Sequence, residues 1–323
     1  MSVLVTGGAG YIGAHVVEAL VKSGRSVAVV DDLSTGNIGR IPDGIAFHQL
    51  DLATPAAAEL AHIMTTCRVS AVVHLAAKKQ VLQSVEHPES YLGDNVSSLA
   101  TVIKAIRLAE IPTLVFSSSA SVYGTALRGS ARETDAPAPL NPYGRSKLVG
   151  EWLTKDAAHA LGLNAASLRY FNVAGASSPR IGDRLALNLI PMIFERLDAG
   201  LPPRVFGSDY ETSDGTCVRD YVHVSDLADA HVSTLEYLER VPSGEHQIFN
   251  VGTGRGTTVL EIIDAVRHIT GLAFQEELLP RRAGDPAAIV ADPTRIRTTI
   301  GWTAGRSLDE MVTSAWAAWR ASH

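Results

Sequence analysis

A glycine-rich loop near the start of the chain joins an apolar, strand-like run to an amphipathic, helix-like run. Its glycines, Gly7, Gly10 and Gly13, follow residues 3–6 and lead into residues 11–22. Such glycines permit a tight turn and a close approach of the backbone to a phosphate, and the helix beyond them presents free N–H groups. The loop therefore predicts a dinucleotide site, with a plain tight turn as the alternative.

Strand-like and helix-like runs alternate through the first half of the chain. Near-continuous apolar strands separated by helices predict a parallel sheet that is covered on both faces. We therefore expect an α/β fold, a Rossmann-type doubly wound parallel sheet with a smaller C-terminal α/β lobe. The predicted strands are 3–6, 26–31, 45–49, 69–75, 113–117, 165–170 and 247–251. The predicted helices are 11–22, 55–66, 97–109, 143–160, 185–199, 225–240, 259–270, 293–300 and 308–319.

The regular alternation of strand-like and helix-like runs ends after Asn172, where Pro, Gly and Ser become frequent. We place a dinucleotide-binding Rossmann domain at residues 1–172 and a substrate-binding lobe at residues 173–323. One or two later segments, near 213–252, are expected to return to the first domain.

Composition and charge exclude several classes of partner. The 323 residues carry a formal net charge of −6, and no basic excess indicates nucleic acid or an anionic membrane. No apolar run reaches the length of a membrane span, and the first strand leaves no room for a leader segment. Cys67 and Cys217 form neither a disulfide framework nor a metal spacing, so we expect no metal and a reducing, cytoplasmic location.

Acidic residues follow the second and third predicted strands. Asp31 and Asp32 stand where an acid binds the adenosine ribose hydroxyls in such folds, about twenty residues after the loop. A carboxylate there would repel a 2′-phosphate, so NAD is predicted over NADP. The alternative is that the two acids cap the turn at residues 33–36. Asp51, followed by Leu52, is either an adenine contact or an acid at a helix start.

A serine and a Tyr/Lys pair form the candidate catalytic group. Ser119 follows the strand 113–117, while Tyr143 and Lys147 stand one helical turn apart on one face. A nearby ammonium and a positive nicotinamide ring would lower the pKa of the tyrosine, which could then move a proton at a sugar or alcohol oxygen. Ser119 could hold the same oxygen, and Lys147 could bind the nicotinamide ribose. Asn95 either caps a helix or supports the cofactor site.

Six segments carry a resemblance to a known family: VDDLSTG (30–36), HLAAKK (74–79), FSSSASVYG (116–124), LRYFN (168–172), SDGTCVRDYVHV (213–224) and PRRAGD (280–285). On these segments the chain resembles the extended short-chain dehydrogenase/reductase family over nearly its whole length, and within it the members that invert C4 of a UDP-hexose. The resemblance implies NAD that stays bound between turnovers. Tyr143 would remove the proton of the 4-hydroxyl while a hydride passes from C4 to NAD. The 4-keto sugar would then turn over and take the hydride back on its other face.

The resemblance also implies site residues and an assembly. The residues that would contact NAD are Tyr11, Ile12, Asp31, Asp51, Leu52, Leu75, Ala76, Ala77, Lys79, Asn95, Tyr143, Lys147 and Phe171. Those that would hold the UDP-sugar are Ser119, Tyr143, Asn172, Asn188, Leu189, Arg219, Arg282 and Asp285. Arginine forks suit a diphosphate, although Arg219 could be a surface ion-pair partner and Arg281 with Arg282 a solvated pair. Family members are commonly homodimers, here through helices 97–109 and 143–160.

The chain departs from the commoner family pattern next to the expected sugar site. Residues 173–188 differ from that pattern, and Ile289 stands where relatives carry a small residue or a bulky Tyr. We expect UDP-glucose and UDP-galactose as substrates. UDP-N-acetylhexosamine or UDP-uronate epimerisation and an NAD sensor without catalysis are the alternatives. A 4,6-dehydratase would need an acid pair directly after Ser119, and residues 120 and 121 are Ala and Ser.

Overall fold

The computed structural model describes residues 1–125, 129–282 and 285–322. The strands are β1 (Ser2–Thr6), β2 (Ser26–Asp31), β3 (Ala46–Gln49), β4 (Val69–His74), β5 (Thr113–Ser117), β6 (Ser130–Ala131), β7 (Asn164–Tyr170), β8 (Asn172–Ala174), β9 (Arg204–Phe206), β10 (Val218–His223), β11 (His246–Val251), β12 (Gly256–Thr258), β13 (Glu277–Leu279) and β14 (Ala288–Ala291). The helices are α1 (Tyr11–Lys22), α2 (Ala57–Thr66), α3 (Val81–Glu86), α4 (Pro88–Ala109), α5 (Pro142–Leu161), α6 (Leu189–Asp198), α7 (Val224–Leu238), α8 (Val259–Thr270), α9 (Thr294–Ile300) and α10 (Leu308–Arg320).

A parallel sheet forms the centre of the described structure. Its seven strands run in the order β11–β7–β5–β4–β1–β2–β3, and each neighbouring pair is parallel. Successive residues of β1 face opposite cores, with Val3 and Val5 in the core that α1 and α7 cover and Leu4 in the core that α2 and α4 cover. A strand that is buried on both faces needs apolar residues at nearly every position, which explains the near-continuous apolar runs in the sequence. The prediction of a doubly wound sheet of Rossmann type is confirmed.

The strand order reverses at β1, which has β2 on one side and β4 on the other. Ligands of open parallel sheets bind in the crevice at such a point, outside the carboxyl ends of the strands. Gly7 lies directly after β1 with φ +71°, and a Cβ on it would lie 2.7 Å from the backbone nitrogen of Ala76, just beyond β4. At the bottom of the crevice, the backbone of residue 7 therefore packs directly against the backbone of Ala76, and a side chain on residue 7 would not fit.

A second, smaller sheet is built mostly from the C-terminal half. Its strands run in the order β12–β10–β14–β6, and β8 also pairs with β10. Helices α6, α8 and α10 pack together around Phe194, Ile263 and Val312. Strands β9 and β13 form a separate parallel pair. In contrast, β11 lies at the edge of the central sheet beside β7.

Most of the predicted elements begin and end within two residues of the observed ones. The helix predicted at 97–109 in fact begins at Pro88, because proline fits the first turn, where its missing N–H is no loss. The helix predicted at 185–199 begins only at Leu189, and Leu185 and Leu187 line a cleft instead. Helix α3 and the second sheet were not predicted. No helix among the described residues has the length and apolar character needed to cross a membrane.

Candidate active site

A cleft of about 600 Å³ opens at the carboxyl ends of β1, β2 and β4. That volume lies within the range of about 300–1,000 Å³ that is typical of ligand and cofactor sites. Most of the predicted cofactor residues line it: Gly7, Gly10, Tyr11, Ile12, Gly13, Asp31, Asp32, Asp51, Leu52, Leu75, Ala76, Ala77, Lys79, Asn95, Tyr143 and Lys147. Phe171 does not line the cleft; its side chain is buried with Tyr123 and Leu148.

The glycine loop leaves the start of α1 open to an anion. Gly10 is the N-cap of α1, no side chain caps the helix, and its first turn holds no acidic residue. The first N–H groups of the helix are thus free to bind a phosphate. A Cβ on Gly13 would lie 2.0 Å from the carbonyl oxygen of Gly7, so the loop can close only around a glycine at position 13.

The acidic pair after β2 both shapes the loop and faces the cleft. The Asp31 carboxylate accepts hydrogen bonds from the N–H groups of Ala9, at 3.0 Å, and Leu33, at 2.9 Å. Burial raises the pKa of Asp31, and these two N–H donors act against the rise. Asp32 accepts from the N–H and the hydroxyl of Ser34, as the turn-capping alternative predicted. Capping and a ribose contact are compatible, because both acids line the cleft.

The third strand contributes one further acid to the cleft wall. Asp51 accepts a hydrogen bond from the N–H of Ala53 at 2.9 Å. Helix α2 begins only at Ala57, so Asp51 lies in the turn that precedes the helix and is not its cap.

Asn95 anchors the wall that follows β4. It lies within α4 and not at the helix start, so the prediction that it caps the helix was wrong. Its carbonyl oxygen accepts from the N–H of Lys78 at 2.8 Å, and its amide donates to the Lys78 carbonyl at 3.1 Å and to Ser146 Oγ at 3.0 Å. The side chain therefore ties the loop after β4 to both α4 and α5.

The start of α5 brings the candidate catalytic residues together. Asn141 caps the helix by accepting the N–H of Gly144 at 2.8 Å, which places Tyr143 in the first turn. The Ser119 hydroxyl is close enough to the Tyr143 phenol to favour its ionised form, and it accepts the N–H of Ser121 at 3.2 Å. Lys147 Nζ donates to the carbonyl oxygen of Ser117 at 2.9 Å and lies 5.8 Å from the centre of the Tyr143 ring. All three predicted residues thus meet where β5 ends, with Tyr143 and Lys147 lining the cleft.

The electrostatics of this group differ from the sequence-based expectation. Burial raises the pKa of Tyr143, neighbouring Tyr170 adds to the rise, and the nearby Ser119 hydroxyl opposes it. Burial also lowers the pKa of Lys147 to about 7. In the protein chain by itself, burial therefore outweighs the expected effect of Lys147 on the phenol, and the joint effect with a nicotinamide ring stays a prediction. A positive charge bound beside the phenol would lower its pKa.

Apart from Tyr143, the predicted substrate residues lie outside the lining of this cleft. Arg219 of β10 donates to the carbonyl of Pro286 at 2.8 Å, and its guanidinium lies 3.6 Å from the Asp285 carboxylate. Arg282 lies over the Phe206 ring, 3.6 Å from its centre, and Arg281 over the Tyr210 ring. Both neighbouring arginines therefore stack on aromatic rings, while Arg281 also stays exposed to solvent and pairs with Asp209. Residues 283 and 284 of the 280–285 motif lie outside the described residues.

The remaining predicted substrate residues flank the segment between β8 and α6. Asn172 begins β8 and stands opposite Tyr221 of β10 in the parallel pairing of these two strands. Asn188 precedes α6 and donates to the Asp183 carboxylate at 2.7 Å, while Leu189 is the first residue of that helix. The structure thus brings Arg219 and Asp285 together, and it places Asn188 beside a residue of the cleft wall.

Sequence reasoning missed several residues of the cleft, namely Arg40, Lys78, Tyr91, Tyr170, Asp183, Leu185 and Leu187. Lys78 stands within the 74–79 motif and could have been found there. Arg40 and Asp183 belong to no recognised motif, and only the tertiary fold brings them to the cleft.

Comparison with known proteins identifies the same family along most of the chain. The profile of the NAD dependent epimerase/dehydratase family matches residues 3–252. A UDP-glucose 4-epimerase of Azospirillum brasilense is 42% identical and covers 97% of this chain and 90% of its own. A UDP-glucose 4-epimerase of Stenotrophomonas maltophila, crystallised with NAD and formylated UDP-arabinopyranose, is 39% identical with a TM-score of 0.94 and covers 100% of this chain and 98% of its own. The UDP-Glc/GlcNAc 4-epimerase of Campylobacter jejuni is 35% identical with a TM-score of 0.86, and covers 99% of each chain. This chain therefore belongs to the NAD dependent epimerase/dehydratase family.

Proposed function

We propose that this protein is an isomerase that inverts C4 of a UDP-hexose, interconverting UDP-glucose and UDP-galactose through a transient 4-keto sugar. The observation that carries the proposal is the meeting of Ser119, Tyr143 and Lys147 at the edge of a dinucleotide-sized cleft. Names of relatives that match over nearly the full length support the same reaction.

The residues of the cleft fit NAD as the resident cofactor. The free N–H groups at the start of α1 suit the pyrophosphate, and the Asp31 and Asp32 carboxylates suit ribose hydroxyls while repelling a 2′-phosphate. When bound, NAD supplies a nicotinamide ring that accepts a hydride from the sugar and returns it. We propose that the full predicted cofactor set, including Phe171 beyond the cleft lining, contacts this cofactor.

The catalytic residues have separate tasks in the proposed reaction. Tyr143 takes the proton of the sugar 4-hydroxyl and gives it back after the 4-keto sugar has presented its other face. Ser119, whose hydroxyl lies near the phenol, holds the same sugar oxygen. Lys147 donates one N–H to the Ser117 carbonyl oxygen, and its other two N–H donors remain for the nicotinamide ribose. Both Tyr143 and Lys147 are present and correctly grouped, which favours catalysis over a sensor that only binds NAD.

The nucleotide half of the substrate is proposed to bind beside the second sheet. Arg219 and Arg282 would hold the diphosphate, because arginine forks match phosphate oxygens. Asp285 would accept from the uridine ribose hydroxyls. Asn172, Asn188 and Leu189 would complete the site towards the sugar, as the family resemblance implies.

Three further proposals concern the organisation of the protein. We assign residues 1–172 to the NAD-binding domain and 173–323 to the UDP-sugar lobe, with segments near 213–252 returning to the first. A homodimer through α4 and α5 is supported by the exposed side chains of Leu108 and Trp152 on those helices. A cytoplasmic location is supported by the free cysteines, Cys67 and Cys217.

A turnover assay without added cofactor tests the proposed reaction. Purified protein is expected to interconvert UDP-galactose and UDP-glucose with no NAD supplied, because the hydride returns to the sugar in each cycle. UDP-N-acetyl sugars and UDP-uronates run alongside decide among the alternative substrates, which residues 173–188 and Ile289 leave open. A strict requirement for added NAD with net NADH release would indicate a dehydrogenase instead.

Removal of the proposed base is the sharper test of the site. Tyr143→Phe should lower turnover by about 10²–10⁴-fold, the usual contribution of a general acid–base group, while the amount of bound NAD stays unchanged. Tyr237→Phe is the matched control, since that ring packs against the core on the far side of the sheet. Near wild-type turnover of Tyr143→Phe would exclude Tyr143 as the base.

A further inference from the structure

Arg40 is a buried cation in the cleft wall that neither motif nor resemblance assigned. It ends the short 3-10 turn Ile38–Arg40 after β2, lines the cleft, and is 5% exposed. Nη1 lies 3.4 Å from the carbonyl oxygen of Ala9, and Nη2 donates to the carbonyl oxygen of Gly182 at 3.1 Å. Its Nε has no hydrogen-bond partner. Among the described residues, no carboxylate pairs directly with this guanidinium.

A buried guanidinium without a counter-ion is costly, because carbonyl dipoles only partly replace its hydration. Burial accordingly lowers the pKa of Arg40, and the charges of Asp183 and Asp31 act only from a distance to raise it. An anion in the cleft that Arg40 lines would supply the missing opposite charge.

The position of Arg40 indicates which anion this is. Ala9 belongs to the glycine loop, between Gly7 and Gly10, and so stands beside the free N–H groups at the start of α1. Gly182 belongs to the opposite wall, next to the cleft residue Asp183. The guanidinium thus bridges the phosphate-binding loop and the facing wall.

The turn that carries Arg40 is itself fixed from that facing wall. Arg180 donates to the carbonyl oxygens of Gly39, at 3.1 Å, and Arg40, at 2.9 Å, and forms an ion pair with Glu18 of α1 at 3.1 Å. The guanidinium is therefore held in place before a ligand arrives, which reduces the ordering that binding requires.

We propose that Arg40 binds the pyrophosphate of the dinucleotide, opposite the N–H groups of α1. This inference rests on the dinucleotide site of the proposed function and adds a residue to it. A 2′-phosphate is the less suitable anion for Arg40, because Asp31 and Asp32 occupy the ribose end of the cleft. A pyrophosphate carries about two negative charges and accepts from both faces of the cleft at once.

The test compares two ligands that differ by the pyrophosphate. Adenosine and ADP-ribose are titrated calorimetrically into the full chain after bound nucleotide has been removed. Arg40→Gln should weaken ADP-ribose binding about 10- to 100-fold, the cost of losing a charge-assisted hydrogen bond, and change adenosine binding by less than about twofold. The NAD content of the purified variant should fall in parallel. Arg184→Gln is the matched control, because it removes a nearby exposed cation whose one hydrogen bond within the described part of the chain is to the Arg180 carbonyl.

The outcomes separate this inference from its alternatives. The inference is overturned if Arg40→Gln weakens the binding of adenosine and ADP-ribose equally, or weakens neither. It is also overturned if Arg184→Gln weakens ADP-ribose binding as much as Arg40→Gln does. If Arg40→Gln fails to fold, Arg40→Lys serves instead, because it keeps the positive charge but lacks the forked guanidinium. Arg40→Lys should still weaken the binding of ADP-ribose more than that of adenosine. None of these readouts uses turnover, so an absence of UDP-hexose interconversion would count against the proposed function alone. Normal interconversion with no selective loss would count against Arg40 alone.

Discussion

A buried ion pair behind the catalytic residues should be among the strongest single determinants of stability in this fold. Glu151 lies one turn beyond Lys147 on α5 and is paired with Arg169 of β7, at 2.8 Å from Nε and 2.6 Å from Nη2. Ser118 donates to the same carboxylate at 2.5 Å. Both charged side chains are 2% exposed, so neither can be rehydrated if its partner is removed.

The expected cost of Glu151→Gln follows from that burial. Removing one member of a buried pair leaves an uncompensated charge and typically costs about 3–5 kcal/mol. The amide of glutamine keeps the volume of the side chain but cannot neutralise Arg169. We therefore expect the free energy of unfolding, measured by urea titration, to fall by about 3–5 kcal/mol. Glu236→Gln, which breaks the exposed pair of this α7 residue with Arg240 just beyond the helix, should cost about 0–1 kcal/mol.

A double variant distinguishes an unpaired charge from lost packing. Glu151→Leu with Arg169→Met leaves no buried charge, so it should recover most of the stability lost by Glu151→Gln. The reasoning is refuted if Glu151→Gln costs no more than Glu236→Gln, or if the double variant is less stable than the single one.

Two further predictions concern the cofactor loop and the buried lysine. Gly13→Ala should abolish NAD retention, because the new Cβ would lie 2.0 Å from the Gly7 carbonyl oxygen. Gly93→Ala in α4 is the control, since its Cβ would meet open space; it should leave stability unchanged or raise it by about 0.5–1 kcal/mol. NAD content and thermal unfolding are measured for both variants. For Lys147, burial lowers the pKa to about 7 in the fold, against about 10.4 in an unfolded chain. The unfolded chain then binds more protons from about pH 7 to 10, so stability rises with pH in that window. In nucleotide-free protein, wild type should gain stability relative to Lys147→Met between pH 7 and 9.5, and parallel curves would contradict this.

The sequence predicts best what depends on local pattern. The central sheet and the loop between β1 and α1 follow from apolar runs, glycine spacing and helix periodicity within short windows. The meeting of Tyr143 and Lys147 likewise needs only a single helix. The second sheet was missed because most of its strands are two to four residues long, too short for a period to show.

Long-range placement explains the other omissions. Arg40 becomes a cleft residue only because Gly182, 142 positions later in the chain, closes over it. The pKa of Tyr143 in the protein chain alone could not be inferred from the sequence for a related reason. The proximity of Lys147 could be inferred from spacing, but the burial that raises the phenol pKa depends on the packing of the whole cleft.

The proposed reaction needs a firmly held nucleotide and a sugar that can turn over, and the charged residues are distributed accordingly. Arg219 is 14% exposed in its side chain and oriented by the Val218 and Pro286 carbonyls, so its fork is fixed before any diphosphate binds. Arg282 is likewise held against Phe206. By contrast, the residues proposed to contact the sugar besides Tyr143 include the neutral groups of Ser119 and Asn172. If these residues bind the substrate as proposed, binding free energy would be concentrated on the UDP moiety, and weak neutral contacts would leave the hexose free to present either face of C4.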